Sequence, residues 1–209
     1  MSKIGPFEEH PLRYEAWFEK HKFVYQAELR AVRALLPESG DGIEIGVGTG
    51  RFAGPLGIKM GVDPSRKMRA QARKKGIMVI DAVAEDLPFK DQRFDYALMV
   101  TTLCFLDDVD QAFGEIYRIL KPRGCFINGF IDRESPVGRT YQKHKRNNVF
   151  YRIAEFYSVD EVVAHLQKAG FKDFEYTQTI FQSLPNTGEL EPVRPGFGQG
   201  SFVVVKGKK

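Results

Sequence analysis

Near the start of the chain apolar residues recur at helical spacing: Tyr14, Trp17 and Phe18, then Val24, Ala27, Ala31, Ala34 and Leu35. That period predicts one or two helices between Pro11 and Leu36. Pro37, Gly40 and Gly42 end the stretch, so alternation of strand and helix begins near Asp41. Short apolar runs then follow one another: Gly42 to Ile45, Met60 to Val62, Met78 to Ile80, Tyr96 to Val100 and Cys125 to Ile131. Each has the length of a buried strand. Helices fit between them, from Ser65 to Lys75, with a Ser at the start and Gly76 just past the end, and from Val109 to Leu120. Such alternation predicts a mainly parallel sheet with helices on both faces.

After Ile131 the rhythm loosens into a polar stretch from Asp132 to Asn148. Ser158 followed by Glu161 forms a capping box for a helix from Val159 to Ala169, and Gly170 stops it. Two β-rich runs close the chain, Phe174 to Phe181 and Ser201 to Lys206, on either side of a Pro- and Gly-rich loop from Leu184 to Gly200. No crossover helix fits in that loop, so the two strands are expected to be antiparallel neighbours. A length of 209 residues suits one domain. Its parts are an amino-terminal helical cap (1–40), a core (41–131), and an insertion with the closing strands (132–209).

Composition narrows the class. With 43% hydrophobic residues the chain can bury a substantial core, and a formal charge of +4 is mild. One segment departs from that average: between Glu134 and Glu155 there is no acid, while Arg139, Lys143, His144, Lys145, Arg146 and Arg152 all occur. It reads either as a solvated basic face or as an electrostatic seat for an acidic substrate. Apolar runs fall far below the ~18 residues a membrane span needs, and the first 20 residues hold no signal core, so a cytoplasmic protein without a membrane partner is expected. Cys104 and Cys125 fall on strands or strand ends, which suits reduced thiols. His10, His21, His144 and His165 lack metal-ligand spacing, so no metal is implied.

The densest chemistry lies at residues 42 to 50, Gly-Ile-Glu-Ile-Gly-Val-Gly-Thr-Gly. Glycines at 46, 48 and 50 let the backbone take positive φ and approach a ligand closely. Glu44 would repel a pyrophosphate and attract the ammonium and sulfonium groups of S-adenosylmethionine. A second run ends in Gly61-Val62-Asp63-Pro64-Ser65, and an acid at the tip of the second strand of a doubly wound sheet accepts hydrogen bonds from ribose hydroxyls. A nicotinamide oxidoreductase would need Gly-x-Gly-x-x-Gly; here the third glycine comes one residue early and Glu44 opposes phosphate.

Four blocks in order resemble the class I S-adenosylmethionine-dependent methyltransferases, and specifically the type 11 methyltransferase domain, over roughly residues 40 to 180. They are Glu44 with Gly46, Gly48 and Gly50; Asp63-Pro64-Ser65 with Met68; Ala84-Glu85-Asp86-Leu87-Pro88-Phe89; and Phe94-Asp95-Tyr96 leading to Leu120-Lys121-Pro122-Arg123-Gly124. The resemblance implies an α/β, Rossmann-like, doubly wound sheet of seven strands with the last antiparallel. It implies that Glu44 and the backbone from Gly46 to Gly50 hold the methionine end of the cofactor, and that Asp63 grips the ribose. Pro64 and Met68 would pack beside the adenine, Ala84 and Glu85 would meet its edge, and Thr101 would approach the transferable methyl. The product would be S-adenosylhomocysteine. Two departures are plain: Val83 stands where an Asp often precedes the Ala-Glu pair, and Leu103-Cys104-Phe105-Leu106 replaces a frequent His pair.

For the acceptor, Tyr14 and Trp17 read either as helix core or, with His21, as a lid over the pocket, and Arg139 and His144 are the candidates of the basic segment. Methyl transfer rests largely on positioning, and a neutral amine needs no base, so a small-molecule nitrogen or ionised oxygen is expected before carbon. A nucleic-acid methyltransferase is the rival within the class. The motif that grips a flipped base is missing, since the chain reads Thr101-Thr102-Leu103-Cys104. A non-catalytic cofactor-binding module is the remaining alternative.

Overall fold

A computed structural model describes residues 3–183 and 188–209. Three helices precede the first strand: α1 (Gly5–Glu9), α2 (Pro11–Lys20) and α3 (Lys22–Leu35). Along α3, Val24, Ala27, Ala31, Val32 and Leu35 are buried on one stripe, the burial that stabilises a surface helix. That stripe packs on β6 (Lys172–Thr179) and β8 (Phe202–Lys208), and Thr177 Oγ1 donates to the Ala31 carbonyl at 3.0 Å.

The other strands are β1 (Gly42–Ile45), β2 (Met60–Val62), β3 (Met78–Ile80), β4 (Phe94–Val100), β5 (Leu120–Ile131) and β7 (Arg194–Pro195). They form one sheet in the order β3-β2-β1-β4-β5-β8-β6-β7. From β3 to β5 all pairings are parallel, and β8 runs antiparallel to both β5 and β6. Side chains alternate across the sheet as the two-residue period demands. On β4, Ala97 and Met99, joined by Phe94 from across a register shift, face the core under α6 (Val109–Ile119) and α8 (Val159–Ala169). Tyr96, Leu98 and Val100 face the core that α3 covers together with α4 (Ala53–Leu56) and α5 (Arg66–Lys74).

The sheet has eight strands, not the expected seven. The extra one, β7, is two residues long and pairs with Thr177 and Gln178 at the edge, where Pro195 lacks only a donor that an edge does not need. Strand β5 begins at Leu120, well before Cys125, because Leu120 pairs with Phe94 ahead of a register shift. The polar stretch after Ile131 holds α7 (Pro136–His144), capped by Ser135, whose Oγ accepts from Gly138 N at 3.0 Å. Residues 184–187 of the expected loop lie outside the described residues. Among the described residues no helix is long and apolar enough to cross a membrane.

Strand order reverses between β1 and β4, and in such sheets the crevice beyond the carboxyl ends of the diverging strands is the binding position. Helix α8 is the best-defined element outside that crevice, with a complete capping box and Gly170 at φ 103° as its stop. Ser158→Ala should therefore lower the unfolding free energy by about 1 kcal/mol in urea titrations, and Ser158→Asp should recover most of the loss.

Candidate functional site

Strand β1 delivers its backbone into a loop in which Gly46, Gly48 and Gly50 all have positive φ, at 71°, 53° and 78°. The three differ in what they touch. A β-carbon on Gly46 would lie 2.4 Å from the Thr102 side chain, and one on Gly50 would lie 2.4 Å from Ile77 Cδ1. Both therefore permit close packing of protein on protein. Gly48 faces the Tyr14 hydroxyl, 3.3 Å from where its β-carbon would stand, and lines the cavity described below.

Two carboxylates organise this loop from behind. Glu44 is 2% exposed, and its Oε2 accepts from Ala53 N at 2.7 Å at the start of α4. Burial pushes its carboxyl well above the ordinary range, the Ala53 N–H opposes that, and the nearby Asp63 charge adds to it. Asp63, 8% exposed, accepts from Gly48 N through Oδ2 and from Ser65 N through Oδ1, both at 2.8 Å. Burial pushes it up to about 6 against those two N–H groups and the Arg69 charge. Each acid thus holds the backbone turn beside it, and burial outweighs the N–H groups and, at Asp63, the Arg69 charge.

A cavity of about 570 Å³ opens from this point. Gly46, Gly48, Asp63, Pro64 and Met68 line it from the first two strand ends, Ala84 and Glu85 from the loop after β3, and Thr101 from the end of β4. Thr101 has φ 49°, a left-handed conformation costly for a threonine. Its N–H is held by the Gly129 carbonyl at 2.8 Å. The Glu85 carboxylate is engaged by the N–H groups of Asp107 and Asp108 at 2.8 and 3.3 Å. Glu44 and Gly50 stand behind the wall, outside the lining.

The first helices roof the cavity. Tyr14, Trp17 and His21 line it, with Tyr14 packed edge-on to Phe18 and the Trp17 ring tilted against His21 at 5.0 Å. A polar clasp fixes α2 on the glycine loop: Arg51 Nη2 meets Glu15 at 2.5 Å and Glu19 at 2.9 Å, and Thr49 Oγ1 donates to Glu15. Arg139 and His144 lie on α7 outside the cavity. Arg139 reaches Glu134 at 3.9 Å, and His144 Nδ1 lies 3.0 Å from the Thr140 carbonyl.

Sequence reasoning missed Glu28. It sits on the apolar stripe of α3, is 4% exposed and lines the same cavity. The signal was its position in the series 24, 28, 31 and 35, where a carboxylate interrupts buried residues. Tyr141, Phe150 and Tyr151 were also missed; they come to the same cavity from α7 and the turns after it.

Two buried acids, a glycine cradle with its backbone close to solvent space, and a cavity of about 570 Å³ fit a cationic ligand with hydroxyl groups, and disfavour a pyrophosphate. The fold and this site define a class I methyltransferase. The family model of the type 11 methyltransferase domain matches residues 43–128. The chain is 51% identical to a crystal structure from Thermotoga maritima, a SAM-dependent methyltransferase described as a possible histamine N-methyltransferase, with a TM-score of 0.97 over 99% of both chains. It is 42% identical to an uncharacterised protein of Methanocaldococcus jannaschii over 99% of this chain and 100% of that one. A demethylmenaquinone methyltransferase of Chlorobaculum tepidum is 29% identical over 70% of this chain and 64% of its own length. The chain belongs to the S-adenosylmethionine-dependent methyltransferases, and S-adenosylmethionine is the cofactor of that family.

The tight contact at Gly46 is a constraint of the loop itself. Gly46→Ala should cost about 1–3 kcal/mol of unfolding free energy through left-handed strain and the clash with Thr102. Adding Thr102→Ala, which removes the two nearest atoms, should restore part of it; equal stability of Gly46→Ala and the parent protein in urea would contradict this.

Proposed function

We propose that this chain transfers a methyl group to a nitrogen of a small organic acceptor held under the first two helices. One observation carries the reading: one cavity is lined both by the glycine loop with Asp63 and by Tyr14, Trp17, Phe18, Tyr141 and Tyr151. Donor and acceptor would share it, and positioning them together supplies most of what a displacement at carbon requires. When bound, S-adenosylmethionine supplies a methyl group made electrophilic by a sulfonium sulfur.

The residues would divide the work by chemistry. Asp63, ionised, would accept the ribose hydroxyls with lone pairs left over from Gly48 and Ser65. Glu44 would place negative charge behind the loop, opposite the positive end of the donor, while the backbone of Gly46 and Gly48 approaches it. Pro64, Met68, Ala84 and Glu85 would enclose the base, and Thr101 would stand between donor and acceptor. Tyr14 and Trp17 would then close the chamber against water, with His21 at its rim.

Nitrogen is preferred to carbon because a neutral amine carries its own lone pair, whereas a carbon acid needs a strong base aligned with it. His21, the histidine on the cavity wall, is pulled toward the neutral form by burial and then by Lys20. The description of the Thermotoga maritima relative as a possible histamine N-methyltransferase points the same way. An acidic acceptor seated on Arg139 and His144 is not carried forward, since neither lines the cavity. A chamber roofed by α1 and α2 also suits a small molecule better than a polymer.

Calorimetry with S-adenosylmethionine and with NADH tests the donor: binding of the first and not the second is expected, and the reverse would overturn the reading. The pH dependence follows from Asp63, whose ionised form receives the ribose. Affinity for S-adenosylmethionine should rise as pH increases through about 6 and level off above it. Asp63→Asn should weaken binding by about 10- to 100-fold at pH 7.5, the loss of a hydrogen-bonded charge, and flatten the step near pH 6. An unchanged profile would remove Asp63 from the site.

A further inference from the structure

We infer that Glu28 is the residue that selects the acceptor, and that the acceptor is an organic amine whose ammonium group meets Glu28 while a second, neutral nitrogen takes the methyl group. The inference rests on the methyl-transfer reading above and gives it a substrate class. Glu28 stands on the buried face of α3 between Val24, Ala27, Ala31 and Val32. Carboxylates in such positions are held by a cation or by N–H groups, because an isolated buried charge is costly. The other acids around this cavity obey that rule: Glu15 holds Arg51, Glu44 the Ala53 N–H, Asp63 those of Gly48 and Ser65, and Glu85 those of Asp107 and Asp108. Glu28 is different. Among the described residues no hydrogen bond or ion pair reaches its carboxylate, and it opens onto the cavity.

Its surroundings offer no cation of their own. The phenols that feel its charge are Tyr14 on α2, Tyr25 on α3, Tyr141 on α7 and Tyr151 beyond it, and burial keeps all four from ionising. His21 is drawn toward neutrality. Lys3 Nζ is committed to the Leu106 carbonyl at 2.7 Å, while Arg13 and Lys20 are exposed residues at the rim. The other titratable groups are acids, Asp63, Glu85 and Asp107 on the cavity wall and Glu44 behind it. Burial alone pushes Glu28 up to about 8, so it waits largely protonated near neutral pH, and an arriving ammonium would draw it back to the carboxylate. The walls complete the selection, because the faces of Tyr14, Trp17, Tyr141 and Tyr151 attract a cation and repel an anion.

The test uses the full chain saturated with S-adenosylhomocysteine. Calorimetry at pH 7 would compare 2-phenylethylamine, tyramine and histamine with 2-phenylethanol and 3-phenylpropanoate. Binding of at least one amine more tightly than the alcohol and the carboxylate is expected. Glu28→Gln should weaken that amine tenfold or more while leaving the alcohol and S-adenosylhomocysteine unaffected. Equal amine affinity in the variant, or preference for the alcohol or carboxylate, or no amine binding at all would overturn the inference. Failure of S-adenosylhomocysteine to bind the parent protein would instead defeat the methyltransferase reading, so the two failures are told apart.

A second readout needs no acceptor. The Glu28 carboxyl is raised above its unfolded value, so its contribution to stability is complete below about 4.5 and is lost as pH rises through about 8. Glu28→Gln, which does not titrate, should show a smaller fall in Tm between pH 5 and pH 9 than the parent protein. Parallel curves would show that Glu28 already has a partner in the empty protein, and the inference would fall with them.

Discussion

The arrangement depends on carboxyl groups buried at the carboxyl edge of the sheet without enough cations to balance them. Glu44 and Asp63 each forfeit hydration and recover only one or two backbone N–H bonds. Net, this leaves both with a raised hunger for positive charge. A hydrophobic replacement would pack more cheaply. What the acids provide instead is a pair of carboxyl groups that an arriving positive charge would favour in the ionised form at the point where β1 and β4 diverge, held rigid because each also pins the turn next to it.

The rest of the fold keeps that region in place and partly dry. Both faces of the sheet carry packed apolar cores, so the strand ends cannot shift relative to one another without disrupting Ile43, Ile45, Leu98 and Met99, all fully buried. The first helices then cover the crevice by two different means. Helix α1 is tied to α5 through Glu8, which accepts from Ser65 Oγ at 2.7 Å, and α2 is tied to the glycine loop through Arg51. These ties are partly exposed ion pairs and hydrogen bonds, individually modest.

Much of this was legible in the chain, for identifiable reasons. Strands β1, β2 and β3 have the bounds their apolar runs suggested, and α8 has those set by Ser158, Glu161 and Gly170. In each case the local signal and the tertiary demand coincide. Helix α7 escaped although Ser135-Pro136 is a proper start, because the residues after it are mostly polar and show too little apolar period. Strand β7 has two residues and exists only by pairing with β6, so no pattern could encode it. The basic run from Arg139 to Arg152 was visible as composition, but composition cannot say which way α7 turns its charges, and Arg139 and His144 turn away from the cavity.

Glu28 shows why a site is harder to read than a fold. A glutamate inside a helix satisfies every local preference for that element, so nothing in its immediate neighbours marks it. Only the spacing of Val24, Ala31 and Leu35 around it places the carboxylate on the buried side. Its meaning depends on residues more than a hundred positions away, Tyr141 and Tyr151, which close the chamber wall. Acids from several elements then stand at one cavity, with Asp63, Glu85 and Glu28 on its wall and Glu44 behind it. Bringing a cationic donor and a cationic acceptor into a space of about 570 Å³ would be opposed by their mutual repulsion if the walls were neutral. Under the amine-acceptor proposal, the carboxyl groups around the cavity would give each cation a counter-charge.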